Sequence, residues 1–479
     1  MSYTPNETRI PVGSTERRRG LVIGATGFIG GLVTERLVEE GWQVRVLSRS
    51  HAKASQRFGT TVDIIEGDAS NSVDLTQALE GVETVWYLMH AMSGDDFKQA
   101  EKDATRRLAR AATEAGVQRI VYLGGLRPAE KRINDLSEHL ESRAETGQIL
   151  LDSQVPTAAL QAGIVIGAES ASFKMLRHLS ERLPAALGPR WIRHRVTPIW
   201  QGDAVHFLVK AADLPADVNR SFDIGGPETL EYAQMMQRYA QVAGLPHHPI
   251  LTVPAYSLGF AAWGVACITP LDRHLVTPLV GSLAHDTKVS ERDLEDLVGL
   301  PDGGLTGFDE AVRRSLTPRD ARLWFKVAGG VTAAVAITAV TGSFLTDPDQ
   351  RWYKRLKKPS WQPAPQVFPL AWTALYADIA ATGSLTLADI LEEEGKDAAR
   401  TYMGALGTNL VLNASWCGLF FRAKKPWVAA AGAAALAASS ADLVRRTYQR
   451  SPERGLLLAP YAAWCGFATA LSASIARKN

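Results

Sequence analysis

Three glycines three residues apart, Gly24, Gly27 and Gly30, stand in the stretch GLVIGATGFIGG at residues 20–31. Between a short apolar run and an amphipathic one, glycines at this spacing bare backbone amides where a strand turns into a helix. The apolar run is Leu21-Val22-Ile23, which suits a buried strand, and the run after the turn, LVTERLVEE, has helical spacing. Amides and helix dipole at such an N-terminus both favour a pyrophosphate. The first glycine makes the tight turn, the second lets the phosphates approach, and the third lets helix and strand pack closely. Gly24, Thr26, Gly27, Phe28, Ile29 and Gly30 are therefore expected to form the phosphate cradle of a dinucleotide-binding fold. Strand before and helix after is the context such a turn requires.

The elements that follow would position the rest of the nucleotide. A second strand over 43–47 runs into Ser48, Arg49 and Ser50. An acid at this point would bind the ribose 2′-hydroxyl, whereas an Arg accommodates a 2′-phosphate, so Arg49 predicts NADP(H) over NAD(H). A third strand over 63–66 ends in Gly67-Asp68-Ala69, with Asp68 expected to reach the adenine amino group. A fourth over 84–88 enters Met89-His90-Ala91-Met92, the loop expected beside the cofactor. A helix over 96–115 precedes a fifth strand over 120–123, which ends in Gly124-Gly125. Ala69, Met89 and Gly124 complete the expected cofactor contacts. Strands alternating with helices predict an α/β, doubly wound parallel sheet.

Further strands and helices are expected at 158–166, 203–212, 221–227 and on through Tyr239. Residues 256–270 are apolar and uncharged but short for a membrane span of about 20 residues, so a buried helix is expected, with an interfacial one as the alternative. Residues 309–315 close this half, and Thr317-Pro318-Arg319-Asp320 reads as a linker.

At 479 residues the chain should hold more than one domain. A net charge of +2 gives no sign of a nucleic-acid partner. Cys267, Cys417 and Cys465 sit singly in apolar surroundings without metal-ligand spacing, and are expected to be packed, reduced thiols. The start is polar, ends in Arg17-Arg18-Arg19 and lacks an apolar core, so a disordered tail over 1–18 is expected and not a signal peptide.

The motifs GATGFIG, EGDAS, YLMHAMS, VYLGGL and FDIGGPETLEY resemble those of atypical, NmrA-like short-chain dehydrogenase/reductase relatives, over about residues 18–318. In the usual members a Tyr-x-x-x-Lys pair and a Ser move the proton, the Lys lowering the Tyr pKa. This chain departs from that pattern. Gly124-Gly125 stands where the Ser would follow the fifth strand, and His139-Leu140-Glu141-Ser142-Arg143-Ala144-Glu145 where the Tyr-x-x-x-Lys helix would begin. Ser142 and Arg143 are candidates to hold a substrate or the nicotinamide ribose; a solvated face for Arg143 and Glu145 is the other reading.

Beyond Leu323 the pattern changes. Residues 323–345 carry one charge, Lys326; 367–387 carry only Asp378; and 403–421, 426–440 and 456–475 carry none. Runs of about 20 apolar residues suffice to cross a hydrocarbon core. Seven of the chain's 12 Trp also lie here: Trp324, Trp352, Trp361, Trp372, Trp416, Trp427 and Trp464. The stretches RWYKRLKKPSWQP, FPLAWTALY, Asn409 with LNASW, and APYAAW closely resemble the TspO/MBR family, the tryptophan-rich sensory or translocator proteins, over about residues 323–476. The resemblance implies an all-α bundle of five transmembrane helices that binds porphyrins, sterols or similar flat apolar molecules. It carries Trp372, Tyr376, Asn413, Trp416 and Trp464 over as pocket residues, with Ser472 departing from the family's Asn in the last helix. Rigid aromatic faces and one amide suit such a ligand.

Basic residues flank both ends of the spans, so charge leaves the orientation open. With no signal peptide, the dinucleotide-binding part is expected in the cytoplasm and the bundle in the inner (plasma) membrane, where the family resemblance suggests a homodimer. Two functions are compatible with the sequence: a redox-linked ligand sensor or transporter, and an NADPH-dependent oxidoreductase acting on a hydrophobic compound that the bundle delivers.

Overall fold

The computed structural model describes residues 18–89, 97–128, 136–183, 186–247, 249–253, 257–316 and 320–479. Residues 1–17 of the expected tail, the loop residues His90, Ala91 and Met92, and the linker residues Thr317, Pro318 and Arg319 lie outside them.

The first half alternates strand and helix as its apolar periodicity requires: β1 (Arg19–Ile23), α1 (Phe28–Glu39), β2 (Gln43–Ser48), α2 (His51–Phe58), β3 (Asp63–Glu66), α3 (Ser72–Leu79), β4 (Thr84–Tyr87), α4 (Phe97–Glu114), β5 (Arg119–Gly125), α5 (Glu138–Leu151) and β6 (Thr157–Ala162). Helices α6 (Ala171–Arg182), α7 (Gln201–Lys210), α8 (Tyr232–Val242), α9 (Leu258–Ile268), α10 (Arg273–Ser282), α11 (Asp293–Val298) and α12 (Phe308–Leu316) follow. The second half is helical: α13 (Leu323–Leu345), the short α14 (Arg351–Arg355), α15 (Val367–Glu393), α16 (Lys396–Cys417), α17 (Pro426–Arg450) and α18 (Pro452–Lys478).

Two compact units emerge from the contacts. One comprises residues 1–170, 194–231 and 281–311; the other comprises 171–193, 232–280 and 312–479. The first unit is built on a seven-stranded sheet in the order Arg220–Ile224, β6, β5, β4, β1, β2, β3, with every pair parallel. This is the doubly wound arrangement, whose order reverses between β1 and β4. Apolar side chains cover both faces: Val22, Val46, Trp86 and Val121 on one, and Leu21, Ile23, Val85 and Ile120 on the other. Burial on both faces explains why these strands read as continuous apolar runs.

In the second unit, α13, α15, α16, α17 and α18 form a helical bundle around Val335, Ile379, Leu406, Leu443 and Leu458. Four of the five long helices, α13, α15, α17 and α18, are long and apolar enough to cross a membrane. The stretch 403–421, expected as a fifth such run, does not form one uninterrupted helix. Helix α16 starts earlier, at Lys396, takes in Asp397 and Arg400, and ends at Cys417, where a π-helical turn over Gly418–Arg422 begins. Its amides Asn409 and Asn413 are only 0% and 3% exposed, so its polarity faces the bundle core. Ile337, Val340, Phe344, Leu370, Val411 and Trp427 point outward. So large an apolar exterior suits lipid rather than water.

Candidate functional sites

The glycine turn lies where the sheet reverses. Gly24 has φ +94°, and a Cβ there would meet the Leu88 carbonyl at 2.7 Å. A Cβ on Gly30 would come within 2.1 Å of the Gly24 oxygen, so only glycine lets α1 pack this closely on the turn. The Gly27 amide donates to the Gly24 carbonyl at 3.0 Å and closes the turn. No side chain caps α1, and its first turn carries no acid. The amides of Phe28, Ile29 and Gly30 belong to the first helical turn and have no intrahelical partner. Thr26 and Gly27 are exposed beside them. Free amides, a positive helix end and a first helical turn without an acid fit a pyrophosphate.

Arg49 follows β2 directly and is exposed. Its charge acts on Asp68, whose pKa is lowered, first by the hydrogen bond from the Ser70 amide and further by Arg49. Asp68 accepts that amide at 2.8 Å, so part of its carboxylate is occupied by its own turn. Ala69 is buried and Met89 half-buried against the same apolar cluster. Gly124 lies at the end of β5, in register with Gln161.

A second cation at the turn escaped the sequence reading. Arg57, at the end of α2, donates to the Gly27 carbonyl at 3.0 Å and pairs with Glu35 at 3.1 Å. Nothing in local spacing marks it, because α2 and α1 meet only in the folded chain.

Residues 139–145 are tied into the protein. Ser142 donates to Glu101 Oε2 at 2.7 Å, both side chains being buried, and Glu145 pairs with Lys102 at 2.9 Å. Arg143 donates to the Leu123 carbonyl at 3.0 Å, which places it beside the end of β5. Burial, helped by the Arg143 charge, pushes the His139 pKa down to about 3, so its imidazole is neutral near pH 7. Burial raises the Glu101 pKa, opposed by its bond from Ser142.

In the bundle, the aromatic and amide residues form a chain of hydrogen bonds across four helices. The Tyr376 hydroxyl donates to Asn413 Oδ1 at 2.7 Å, and Asn413 Nδ2 donates to the Tyr461 hydroxyl at 3.2 Å. Tyr461 donates to Asn409 Oδ1 at 2.7 Å, and Asn409 Nδ2 reaches Ser440 at 3.0 Å. Trp372 lies 5.4 Å from Tyr376 and 6.4 Å from Tyr461 between ring centroids. Trp464 meets Phe368 at 6.0 Å and Phe467 at 5.2 Å. Trp416 stacks on Phe420 at 5.5 Å, away from Tyr376, in a cluster with Trp352 and Tyr353 that also takes in Phe368 and Phe467, the partners of Trp464. Tyr461 and Asn409 thus join Trp372, Tyr376 and Asn413. Their signal was present in the APYAAW stretch and in the amide four residues before Asn413.

Known proteins resemble each half. Residues 24–161 match an NAD(P)H-binding family, and residues 330–477 match the TspO/MBR family. A tryptophan-rich sensory protein of Cereibacter sphaeroides is 34% identical over 147 residues, covering 31% of this chain and 87% of that protein. A (4-alkanoyl-5-oxo-2,5-dihydrofuran-3-yl)methyl phosphate reductase of Streptomyces griseus is 27% identical over 235 residues, covering 47% of this chain and 74% of that one. The solved structure of a triphenylmethane reductase from Citrobacter sp. aligns with TM-score 0.50 and 18% identity, covering 62% of this chain and 99% of that one, which shows a shared fold. Through residues 330–477 the chain belongs to the TspO/MBR family, and a parallel-sheet unit whose residues 24–161 match an NAD(P)H-binding family precedes that family's helical bundle.

Proposed function

We propose that this membrane protein binds NADP(H) in its parallel-sheet unit and a flat apolar molecule, porphyrin- or sterol-like, in its bundle, as a redox-linked ligand sensor or transporter. The observation that carries the reading is the bundle core. Trp372, Tyr376 and Tyr461 gather aromatic faces around Asn413 and Asn409, in the same chain as an uncapped helix N-terminus at a glycine turn. Apolar faces with a few fixed polar groups are what a flat amphipathic ligand needs. The cradle of Gly24, Thr26, Gly27, Phe28, Ile29 and Gly30 would hold the pyrophosphate, and Arg49 the 2′-phosphate. Asp68, Ala69, Met89 and Gly124 would line the nucleotide. Trp464 would border the bundle ligand through Phe368 and Phe467, and Trp416 from the same aromatic cluster. The bundle would sit in the inner membrane, as a homodimer, with the dinucleotide-binding part in the cytoplasm.

The second reading is an NADPH-dependent oxidoreductase acting on a hydrophobic compound that the bundle delivers; with a carbonyl compound NADPH would supply hydride to carbon and water the proton to oxygen. Arg143 beside the end of β5 favours it, as does the reductase named among the relatives. Titration of the full chain in nanodiscs with NADPH and with protoporphyrin IX tests the first reading, which requires saturable binding of both. Absence of either binding event overturns it. Consumption of NADPH with an apolar ketone or aldehyde would favour the second.

A further inference from the structure

The two ends of the bundle differ in how their charge is answered. Residues 346–366, 418–425 and 476–479 connect or follow the long helices at one end, and they carry ten Lys and Arg against Asp347 and Asp349. Lys354 pairs with Asp349 at 2.9 Å, and among the described residues no other of the ten meets a carboxylate side chain. At the opposite end of the same helices Lys326, Arg400, Arg445, Arg446 and Arg450 each pair with one.

Hydrogen bonds gather the unanswered cations. Arg422 donates to the Phe344 carbonyl at 2.9 Å, which holds the turn after α16 against the end of α13. Gln350, just before α14, donates to the Phe421 carbonyl at 3.1 Å. The Lys357 amide donates to Asn479 Oδ1 at 2.8 Å, and Asn479 Nδ2 donates back to the Lys357 carbonyl at 3.1 Å, so the loop after α14 is tied to the end of α18. Arg422, Lys424 and Lys425 are exposed. Beside them Phe344 is 76% and Trp427 61% exposed. A Trp at the end of a span settles at headgroup depth, so these cations lie at the level of lipid phosphates. Lys424 is also the one non-glycine with positive φ, +55°, among the described residues. Glycine would take this turn without strain, so backbone geometry does not call for a lysine there.

We propose that this end of the bundle binds anionic phospholipid, the headgroup phosphate seated at Arg422, Lys424 and Lys425 beside Trp427, with the cations of residues 351–358 adding to the attraction. Clustered Lys and Arg next to a membrane span recruit anionic headgroups, and phosphate oxygens accept charge-assisted hydrogen bonds from both. A second copy lying parallel in the same membrane would bring like charge to this face. The counter-charge that the protein withholds here, and supplies at the other end, therefore comes from lipid.

Native mass spectrometry of the full chain in detergent tests this, after incubation with equimolar phosphatidylglycerol and phosphatidylcholine of matched acyl chains. The expected result is several-fold more phosphatidylglycerol retained than phosphatidylcholine. Arg422→Gln with Lys424→Gln and Lys425→Gln should remove most of that preference, whereas Arg422→Lys with Lys424→Arg and Lys425→Arg should keep it. Arg445→Gln with Arg446→Gln and Arg450→Gln, at the opposite end, should keep it too. Lys424→Gly relieves the turn, so a lowered preference in this variant, with thermal unfolding no earlier than in the parent, separates charge from folding. Equal retention of both lipids, or of neither, would overturn the proposal and leave the face to an acidic protein partner. A preference that survives the triple change to Gln would overturn it by placing the lipid elsewhere. Displacement of the lipid by inorganic phosphate, but not by chloride at equal ionic strength, would overturn it in favour of a soluble anion.

Discussion

Asp389 on α15 accepts a hydrogen bond from Arg454 on α18 at 2.5 Å, and both side chains are withdrawn from solvent. Asp389 also pairs with Arg182 of α6, so one carboxylate answers two buried guanidinium groups; Arg454 also donates to the Cys267 and Thr269 carbonyls and Arg182 to that of Ile268, at the end of α9. Removing one member of such a buried set leaves charge uncompensated. Asp389→Ala is expected to destabilise the protein by about 3–5 kcal/mol. The exposed pair Asp397–Arg400 offers the contrast, since Asp397→Ala is expected to cost under about 1 kcal/mol. Thermal unfolding of both variants in detergent, compared with the parent chain, checks the difference.

Arg49 gives the cofactor preference its test. A charge-assisted contact from its guanidinium to a 2′-phosphate should contribute about 1.5–3 kcal/mol. NADPH is expected to bind more tightly than NADH, and Arg49→Ala to remove most of the difference. Titrating both cofactors against both proteins measures it.

His139 sets a pH dependence. Its folded pKa lies near 3 because the ring is buried, against an ordinary value of 6.5. Between these limits the unfolded chain binds a proton that the folded one does not, so this group's contribution to stability falls as pH falls from about 6.5 toward 3. The slope is at most about 1.4 kcal/mol per pH unit. Glu181 acts in the opposite sense. Burial raises its pKa to about 7, opposed by Arg177 and Tyr239, so its contribution falls as pH rises from 4.5 through 7. Subtracting the stability profile of His139→Gln from that of the parent isolates the first effect, and Glu181→Gln the second.

For the bundle, aromatic stacking contributes about 0.5–1.5 kcal/mol per pair beyond burial. Trp372→Phe alone is therefore expected to weaken protoporphyrin binding modestly, and the double change Trp372→Ala with Trp464→Ala much more. Trp324→Ala should leave it unchanged. Quenching of tryptophan emission by protoporphyrin in detergent reports each case.

Much of the fold can be read in the sequence, because local periodicity carries it. The third strand, Asp63–Glu66, and the first span, Leu323–Leu345, have the bounds their apolar runs indicate. Helices α15, α17 and α18 extend beyond their apolar stretches because helical hydrogen bonding continues into polar turns such as those around Glu392 and Arg445. What sequence pattern does not carry is contact at a distance. Arg57 reaching Gly27, Trp416 turning to Phe420, and the segments 171–193 and 232–280 packing with the helices past residue 312 all depend on tertiary structure. A periodicity of two or 3.6 residues has no term for them.

Coupling between the two binding events is the central claim, and it has a direct measurement. The protoporphyrin dissociation constant of the full chain in nanodiscs is determined with saturating NADPH, with saturating NADP⁺ and with neither. Linked sites typically differ by about 1–3 kcal/mol, so a change of about fivefold or more is expected between the reduced and oxidised cofactor. Reciprocity requires protoporphyrin to shift the NADPH/NADP⁺ affinity ratio by the same factor. Identical constants in all three conditions, with both ligands demonstrably bound, would contradict the redox-linked account.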